Sequence, residues 1–352
     1  MGFLLIGCSF ASAEQKSLRV LHLTFHQGCA TEFNAVAETL GIEVETWFIP
    51  SLPPLFFDGA SHGNALYNIG HDRAERIWNL HKETFEQFDA VITSDTAPLS
   101  RIFLQNNFSK PLIIWICNRF DYSDQASLDC VFPDPEYYRL FKGACKKKNV
   151  RVVAYNLFEK EYARRKGIDI GDWLITPCAP KENLGSFISS IPNEIDKKET
   201  FFLPPYTNDM TFSNKCNELG IPVYRGRYSG AEDLKDFKAI IHFPYAWSNL
   251  AFFENISMGT PYLIPSVSFL KTLLRDSQYW FVDRGYLGFE FTEWYMPGRE
   301  EVITYFDSWE DLQHKIQTMD FISLRKRIKK YAESYRANML DRWTELFRGF
   351  YE

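Results

Sequence analysis

The residues with the clearest chemical potential lie in one stretch, residues 240–265, which reads IIHFPYAWSNLAFFENISMGTPYLIP. Its pattern predicts a buried strand, a polar loop at Tyr245–Asn249, a helix, a turn and a second strand. The unpaired N–H groups and the dipole of that helix would attract an anion to the loop. Ser248 and Asn249 add polar side chains there, and the carboxylate of Glu254 follows about one turn into the helix. These residues predict a site for a ligand with phosphate groups.

Two arginines upstream of this stretch are candidates for balancing phosphate charge. Arg225 and Arg227 follow Pro222–Tyr224, which predicts a short strand. If the strands are parallel, both guanidinium groups lie at the same sheet edge as the loop Tyr245–Asn249. A guanidinium group there would stabilise negative charge that develops during a reaction. The alternative is an ordinary pair of surface arginines.

A second group of candidates lies near the start of the chain. Strand Leu18–Thr24 and helix Glu32–Leu40 are predicted on either side of a loop that contains His26 and Gly28, with Thr31 as the expected helix cap. Gly28 would let a ligand approach the backbone closely, and His26 can serve as a base or as a positioning group. A plain tight turn is the alternative for this loop.

A third group follows the most apolar strand of the first half, Pro111–Cys117. Asn118, Arg119 and Asp121 come directly after this strand, and polar residues at the end of a buried strand are typical of a cleft wall. They are expected to contact a second substrate. The alternative is an Arg119–Asp121 ion pair that bridges two loops.

The elements that must position these residues alternate between strand and helix throughout the chain, which predicts an α/β protein with doubly wound parallel sheets. At 352 residues the chain suits two domains of about 150 residues each. We expect a leader at 1–17, an N-terminal domain at 18–180, a C-terminal domain at 198–320 and a long helix at 321–352. The segment Pro177–Lys198 is the expected linker.

Composition narrows the class of protein. Hydrophobic residues make up 45% of the chain and charged residues 24%, as in a globular protein. A net charge of −6 argues against a general nucleic-acid binder, because phosphate contacts need a clustered basic face. The seven cysteines form no C-x-x-C pair, so neither a zinc site nor a thioredoxin-like motif is indicated, and reduced buried thiols are expected. No D-x-D-like metal motif falls in a predicted cleft.

The N-terminal segment has two interpretations. Phe3–Phe10 is a short apolar run, and Ala11, Ser12 and Ala13 follow it in an A-x-A pattern typical of a signal-peptidase site. The leader Met1–Ala13 is therefore either an export signal or a disordered cytoplasmic leader. No other stretch approaches the roughly 20 apolar residues that a membrane span needs.

One spacing resembles a known family. Glu254, Gly259 and Pro261 form the pattern E-x-x-x-x-G-x-P, which resembles the donor-site signature of GT-B glycosyltransferases, mainly those that retain anomeric configuration. The resemblance implies two Rossmann-like domains that face a cleft, and a long C-terminal helix that crosses back to the N-terminal domain. It also implies a nucleotide-sugar donor, no metal ion and no other cofactor.

The resemblance gives the candidate residues their expected roles. Glu254 would bind the ribose of the donor, and the preceding loop would hold the diphosphate. The expected donor-binding residues are Tyr245, Ser248, Asn249, Glu254, Gly259 and Thr260. The expected catalytic residues are His26, Arg225 and Arg227. The expected acceptor-side residues are Gly28, Asn118, Arg119 and Asp121.

The expected activity is transfer of a sugar from a nucleotide sugar to a glycan, lipid or protein acceptor. The family carries another glutamate eight positions upstream of the first, where this chain has Ala246. A non-catalytic GT-B-like binding protein and a sugar-nucleotide epimerase therefore remain alternatives, since one fold serves many functions. The residues indicate neither the base, the sugar, the acceptor nor the stereochemical outcome.

Overall fold

The computed structural model describes residues 17–53, 69–122, 134–178, 189–205, 210–276 and 288–350. In the first half of the chain, strands alternate with helices. The strands are β1 (Arg19–Thr24), β2 (Glu43–Phe48), β3 (Ala90–Asp95), β4 (Leu112–Ile116) and β5 (Val150–Ala154). The helices are α1 (Gln27–Leu40), α2 (His71–Phe85), α3 (Arg101–Gln105), α4 (Pro135–Ala144) and α5 (Leu157–Arg165).

The second half alternates in the same way with shorter strands. These strands are β6 (Phe201–Phe202), β7 (Val223–Tyr224), β8 (Ile240–Ile241), β9 (Tyr262–Pro265) and β10 (Ile303–Phe306). The helices are α6 (Thr211–Glu218), α7 (Ala231–Leu234), α8 (Leu250–Ser257), α9 (Val267–Arg275), α10 (Trp309–Thr318) and α11 (Phe321–Arg348). None of the described helices combines the length and apolarity needed to cross a membrane.

Each half contains a five-stranded parallel sheet, and the two sheets have the same strand order. The first runs β2-β1-β3-β4-β5 and the second β7-β6-β8-β9-β10. Every residue of β3 and β4 is buried, as expected for central parallel strands covered on both faces. The chain changes direction across the sheet between β1 and β3 and again between β6 and β8. Ligands of open α/β sheets bind outside the carboxyl ends of such strand pairs. The predicted pair of doubly wound sheets is confirmed.

One local prediction was wrong. Helix α1 begins at Gln27 rather than Glu32, and its cap is His26, so Thr31 lies inside the helix and does not cap it. A single parallel bridge between Leu174 and Ala154 extends the first sheet beyond β5. Residues 1–16 of the expected leader and residues 179–188 of the expected linker lie outside the described residues, and the domain boundaries stay a prediction.

Helix α11 runs through 28 residues and contacts both halves of the chain. Near its start, Arg325 donates a hydrogen bond to the carbonyl oxygen of Lys235 at 2.7 Å. Near its end, the ring of Trp343 packs edge-on against Trp115 with centroids 5.5 Å apart, and its centroid lies 5.3 Å from that of Phe33. The predicted helix that crosses back to the N-terminal domain is confirmed, and the Trp343 contacts make it part of the first core.

Replacing Trp343 should weaken the attachment of α11 to the first sheet. Trp343 is 1% exposed, so we expect Trp343→Ala to lower the free energy of unfolding by about 3–5 kcal/mol. Ile322 on the same helix is 70% exposed, and Ile322→Ala should stay within about 0.5 kcal/mol of the wild type. Urea unfolding followed by tryptophan fluorescence and circular dichroism measures both. Equal effects of the two substitutions would show that α11 does not brace the first domain.

Candidate functional site

A cavity of about 700 Å³ opens at the carboxyl ends of the strands, and residues from both halves of the chain line it. The residues from the first half lie at or after the carboxyl ends of β1, β3, β4 and β5. From the second half come the loop Tyr245–Asn249, between β8 and α8, and the first turns of α8. The cavity therefore lies where the direction change in each sheet predicts a ligand.

His26 begins one wall of the cavity. Its Nδ1 atom accepts a hydrogen bond from the backbone N–H of Gly28 at 3.1 Å, which caps helix α1. A nitrogen that accepts this bond carries no proton, so neutral His26 holds its proton on Nε2. A hydrogen bond with Cys29 raises the pKa of His26, while burial opposes the shift. A second proton would have to occupy Nδ1, so charging His26 would release the cap of α1.

Gly28 is required by a close approach between the two halves of the chain. A Cβ atom at this position would collide with Cδ1 of Leu250, the first residue of α8. Gly28 was predicted to let a ligand approach the backbone, and the structure brings Leu250 next to it. The wall at Gly28 and the first turn of α8 thus face each other across the narrow part of the cavity.

Asp95 ends strand β3 between the two walls. Its φ angle of 73° lies in the left-handed region, and its carbonyl oxygen accepts hydrogen bonds from the amides of Cys117 (3.1 Å) and Asn118 (2.9 Å). The chain that leaves β4 is thereby drawn over the end of β3. The side chain of Asp95 is 7% exposed, and burial raises its pKa to about 7, with a further contribution from the charge of Cys29. This carboxyl group can exchange a proton near neutral pH.

The polar residues after β4 separate into two sets. Asn118 and Arg119 line the cavity. The backbone N–H of Arg119 donates to the carboxylate of Glu159 at 2.8 Å, and its guanidinium group lies over the ring of Tyr122, 5.2 Å from the centroid. Burial raises the pKa of Glu159 to about 8. Asp121 does not belong to the described lining of the cavity.

Asp121 has a structural environment instead. It is 6% exposed and accepts hydrogen bonds from the hydroxyl groups of Tyr138 and, at 2.8 Å, Tyr162. These bonds join the end of β4 to helices α4 and α5. The alternative of a structural role holds for Asp121, with tyrosines rather than Arg119 as its partners.

The loop Tyr245–Asn249 forms the opposite wall. Two adjacent residues, Glu293 and Trp294, make hydrogen bonds to its backbone. The indole N–H of Trp294 donates to the carbonyl oxygen of Ala246 at 3.3 Å. The backbone N–H of Glu293 donates to the carbonyl oxygen of Trp247 at 3.1 Å, and the Glu293 carboxyl accepts from the N–H of Asn249 at 2.5 Å. The shape of this loop therefore depends on residues 44 or more positions away in sequence.

Asn249 and Glu254 place polar groups of α8 at the cavity. The side-chain oxygen of Asn249 accepts from the N–H of Ala251 at 3.0 Å and caps the helix. Glu254 is half-buried and lines the cavity, and burial raises its pKa while the charge of His26 opposes the shift. Glu254 and His26 thus interact electrostatically from opposite walls.

A polar and an aromatic contact join the two walls at one end. The amide of Asn156 donates to the carbonyl oxygen of Trp247 at 3.3 Å. The rings of Phe158 and Trp247 meet edge-on with centroids 4.3 Å apart. Asn156 also caps α5 through the N–H of Glu159, so the start of α5 is fixed to the loop of the second half.

Besides Asp121, four of the predicted site residues do not line the cavity. Arg225 and Arg227 follow β7, the edge strand of the second sheet, and β6 lies between it and β8. The strands are parallel as expected, but neither arginine is among the described residues that line the cavity. The Nη1 atom of Arg225 lies 3.4 Å from Sδ of Met210. Their catalytic role stays a prediction.

Gly259 and Thr260 lie at the other end of α8. Gly259 has a φ of 76°, terminates the helix and packs against Lys329 and the backbone of Arg325 on α11. Thr260 is fully buried just before β9, at the amino edge of the sheet. Because Gly259 comes five positions after Glu254, about 7.5 Å along a helix axis, only the glutamate of the E-x-x-x-x-G-x-P pattern reaches the cavity.

The sequence interpretation missed two thiol and two carboxyl groups of the cavity: Cys29, Cys117, Asp95 and Glu159. The positions of Asp95 and Cys117 at the ends of β3 and β4 were available as a signal, because these ends border the direction change of the sheet. Glu293 was also missed. Nothing local identifies it, since its partner Asn249 lies 44 residues away.

The comparisons with known proteins agree with this architecture. No protein-family model matches the chain, and no curated protein matches it in sequence. Among solved structures, the glycosyltransferase SnogD from Streptomyces nogalater is similar at a TM-score of 0.50 and 11% identity, over 94% of this chain and 99% of SnogD. The fold is GT-B.

Two further structures are similar at lower scores. BGT of T4 phage, solved with its UDP-glucose substrate, has a TM-score of 0.47 and 8% identity, over 95% of this chain and 99% of its own. A Listeria monocytogenes protein, provisionally a UDP-N-acetylglucosamine 2-epimerase, has a TM-score of 0.41 and 12% identity, over 90% of each chain. At such scores neither carries an argument about this chain, so the similarity to SnogD establishes the GT-B fold alone.

The buried carboxyl of Glu293, which holds the loop Tyr245–Asn249, predicts how the free energy of unfolding depends on pH. Burial raises the pKa of Glu293 to about 8, above the ordinary value near 4.5. The protonated carboxyl therefore stabilises the folded state, and this contribution is fully present below pH 4.5. It is lost as the pH rises through 8. Glu293→Gln imitates the protonated form. We expect it to flatten the fall in unfolding free energy between pH 5 and 8 by up to about 1.4 kcal/mol per pH unit.

Thermal or urea unfolding at pH 5, 6, 7 and 8 measures this effect. Glu301→Gln, at an exposed position, is the matched control and should leave the wild-type slope unchanged. A Glu293→Gln slope equal to that of the wild type would contradict a protonated buried carboxyl at the loop.

Proposed function

We propose that the protein transfers a glycosyl group from a nucleotide sugar to an acceptor bound in the same cavity. The observation that carries this proposal is that Glu254 and the loop Tyr245–Asn249 face His26 and Asp95 across one cavity of a GT-B fold. A donor site on one wall and proton-transfer groups on the other are what transfer to a hydroxyl acceptor requires.

The donor would bind along α8. Its phosphate oxygens would meet the N-terminal N–H groups of α8 and the side chains of Ser248 and Asn249, where the helix dipole favours negative charge. Glu254 would accept hydrogen bonds from ribose hydroxyl groups. Charge on the leaving diphosphate would be stabilised by the guanidinium group of Arg119 and by the Nε2–H group of His26, which line the cavity, more directly than by Arg225 and Arg227.

The acceptor hydroxyl would lose its proton to the His26–Asp95 pair. Nδ1 of His26 caps α1 and its Nε2 holds the proton of the neutral ring, so His26 is suited to positioning and charge stabilisation. Asp95 can take up a proton near pH 7 and is the better candidate for the base. A sugar-transfer step by this route would release the nucleoside diphosphate and leave the proton on Asp95.

Independence from metal ions is part of the proposal. Among the described residues, no group of three or more His, Cys, Asp and Glu side chains is arranged to hold a metal ion. The helix N-terminus and the cationic side chains would stabilise the diphosphate in place of a cation. This expectation is tested by performing the binding experiment below in EDTA and again in magnesium.

The alternative of a non-catalytic nucleotide-sugar binding protein has one observation in its favour. Ala246 lines the cavity at the position where the related signature carries its other glutamate. A protein of this kind would bind the donor but would not release a nucleoside diphosphate from it. Binding and turnover must therefore be measured separately.

Binding is tested by calorimetric titration with UDP-, GDP- and ADP-sugars. We expect one nucleotide class to bind, with Glu254→Ala raising Kd by roughly 10- to 100-fold, the loss of hydrogen bonds to a charged group. Glu333→Ala, at an exposed position of α11, is the control and should bind as the wild type does. Absence of binding by every nucleotide sugar, or unchanged binding by Glu254→Ala, would refute the donor site.

Turnover is tested by release of nucleoside diphosphate from the donor that binds, with water or a hydroxyl acceptor. The wild-type rate should rise with pH and level off above about 7, because Asp95 must be deprotonated to act as a base. Asp95→Asn should lower the rate by roughly 10²- to 10⁴-fold while leaving Kd for the donor nearly unchanged. Normal turnover by Asp95→Asn would remove this base from the mechanism, and donor binding without any turnover would favour the non-catalytic alternative.

A further inference from the structure

Two cysteines that are distant in sequence meet at the floor of the cavity. Cys29 lies in the first turn of α1, and Cys117 follows β4, with β3 between their strands in the sheet. Their sulfur atoms are 3.7 Å apart, and both residues line the cavity. The amide of Cys117 is hydrogen-bonded to the carbonyl oxygen of Asp95, which holds this turn over the end of β3. The two thiols are thus held side by side by the backbone.

The two thiols have different acidities. Hydrogen bonds with Cys117 and His26 lower the pKa of Cys29 to about 6, although burial opposes the shift. Burial and the neighbouring Cys29 raise the pKa of Cys117 well above its ordinary value. At neutral pH the pair is therefore one thiolate beside one thiol. A thiolate is the nucleophile of cysteine chemistry, and a second thiol next to it resolves the first oxidation product.

We propose that Cys29 and Cys117 form a thiol-modification site, in which a hydroperoxide that enters the cavity oxidises the pair to a reversible disulfide. The site depends on the distance between the sulfur atoms and on their place in the cavity. It does not depend on the activity proposed above.

The oxidation proceeds in two balanced steps. The Cys29 thiolate attacks one oxygen of hydrogen peroxide and the O–O bond breaks, which forms a sulfenic acid on Cys29 and a hydroxide ion. The hydroxide becomes water by taking a proton from solvent, which replaces the proton that Cys29 released to solvent when its thiolate formed. Cys117 sulfur then attacks the Cys29 sulfur, the S–O bond breaks, and a second water leaves with the Cys117 proton. The two thiols lose two electrons, and the peroxide is reduced to two waters.

Disulfide formation would change the cavity. It would remove a negative charge from beside His26 and Asp95, and it would fix the start of α1 to the end of β4. Cys178 and Cys216 are also buried, but neither lines the cavity among the residues that the structure describes. The oxidation should therefore be selective for the pair.

The experiment oxidises the reduced full-length protein with hydrogen peroxide and maps the cysteines by mass spectrometry without reduction. We expect a loss of two hydrogens per chain and a linked peptide pair that contains Cys29 and Cys117, both reversed by dithiothreitol. Cys117→Ser should stop at a sulfenic acid on Cys29, which dimedone traps. Cys29→Ser should leave Cys117 oxidised at least about tenfold more slowly, because a neutral thiol is a poor nucleophile.

Cys145→Ser is the control, because Cys145 lies away from the cavity lining at the end of α4, and it should form the linked pair at the wild-type rate. Circular dichroism confirms that each variant is folded, and Cys117→Ala replaces Cys117→Ser if the latter is not. A folded wild type without the 29–117 link would overturn the proposal, as would a link from Cys29 to Cys8 or Cys130. Equal oxidation of Cys117 with and without Cys29 would also overturn it.

Discussion

The buried carboxyl of Glu293 is the interaction on which the candidate site most depends. It accepts the N–H of Asn249, and the adjacent backbone and indole groups hold the carbonyl oxygens of Trp247 and Ala246. The loop between β8 and α8 is therefore fixed from behind, which leaves its other side open to the cavity. Trp247 also accepts a hydrogen bond from Asn156 in the first half. The hydrogen bonds of Glu293 and Trp294 therefore also position the contact between the two walls.

The cavity combines groups whose charges depend on one another. Burial raises the pKa values of Asp95 and Glu159, while the hydrogen bond between His26 and Cys29 favours the charged forms of both partners. Shifted pKa values of this kind cluster at functional sites, where burial and neighbouring charges tune proton transfer. Asp95 and Cys29 both line the cavity, where the proposed proton transfer and the proposed thiol oxidation would take place.

The sequence predicted the elements better than the side-chain contacts. The alternation of apolar strands with amphipathic helices was sufficient to predict two parallel sheets and the long helix α11, because burial imposes those periods locally. The family resemblance supplied the expectation that α11 crosses back to the first half. It also predicted that His26, Asn249 and Glu254 would lie at strand ends or helix starts. Arg225 and Arg227 stand at a correct strand end, but the order of strands places that end at the sheet edge, and strand order is a property of the whole sheet.

Gly259 and Glu293 both show that a linear sequence pattern does not identify the contacts of a packed site. Gly259 terminates α8, packs on α11 and does not line the cavity. Glu293 has no distinctive local pattern, yet it determines the shape of the loop through contacts 44 residues away. Long-range hydrogen bonds of this kind are specified by the packed structure, so a linear pattern does not reveal them.

The most direct test of the central claim is a crystal structure of the protein with the nucleoside diphosphate that binds most tightly among UDP, GDP and ADP. The account predicts the diphosphate at the N-terminus of α8 beside Ser248 and Asn249, with the ribose hydroxyl groups on Glu254. A nucleotide bound elsewhere, or one whose ribose lies away from Glu254, would contradict it.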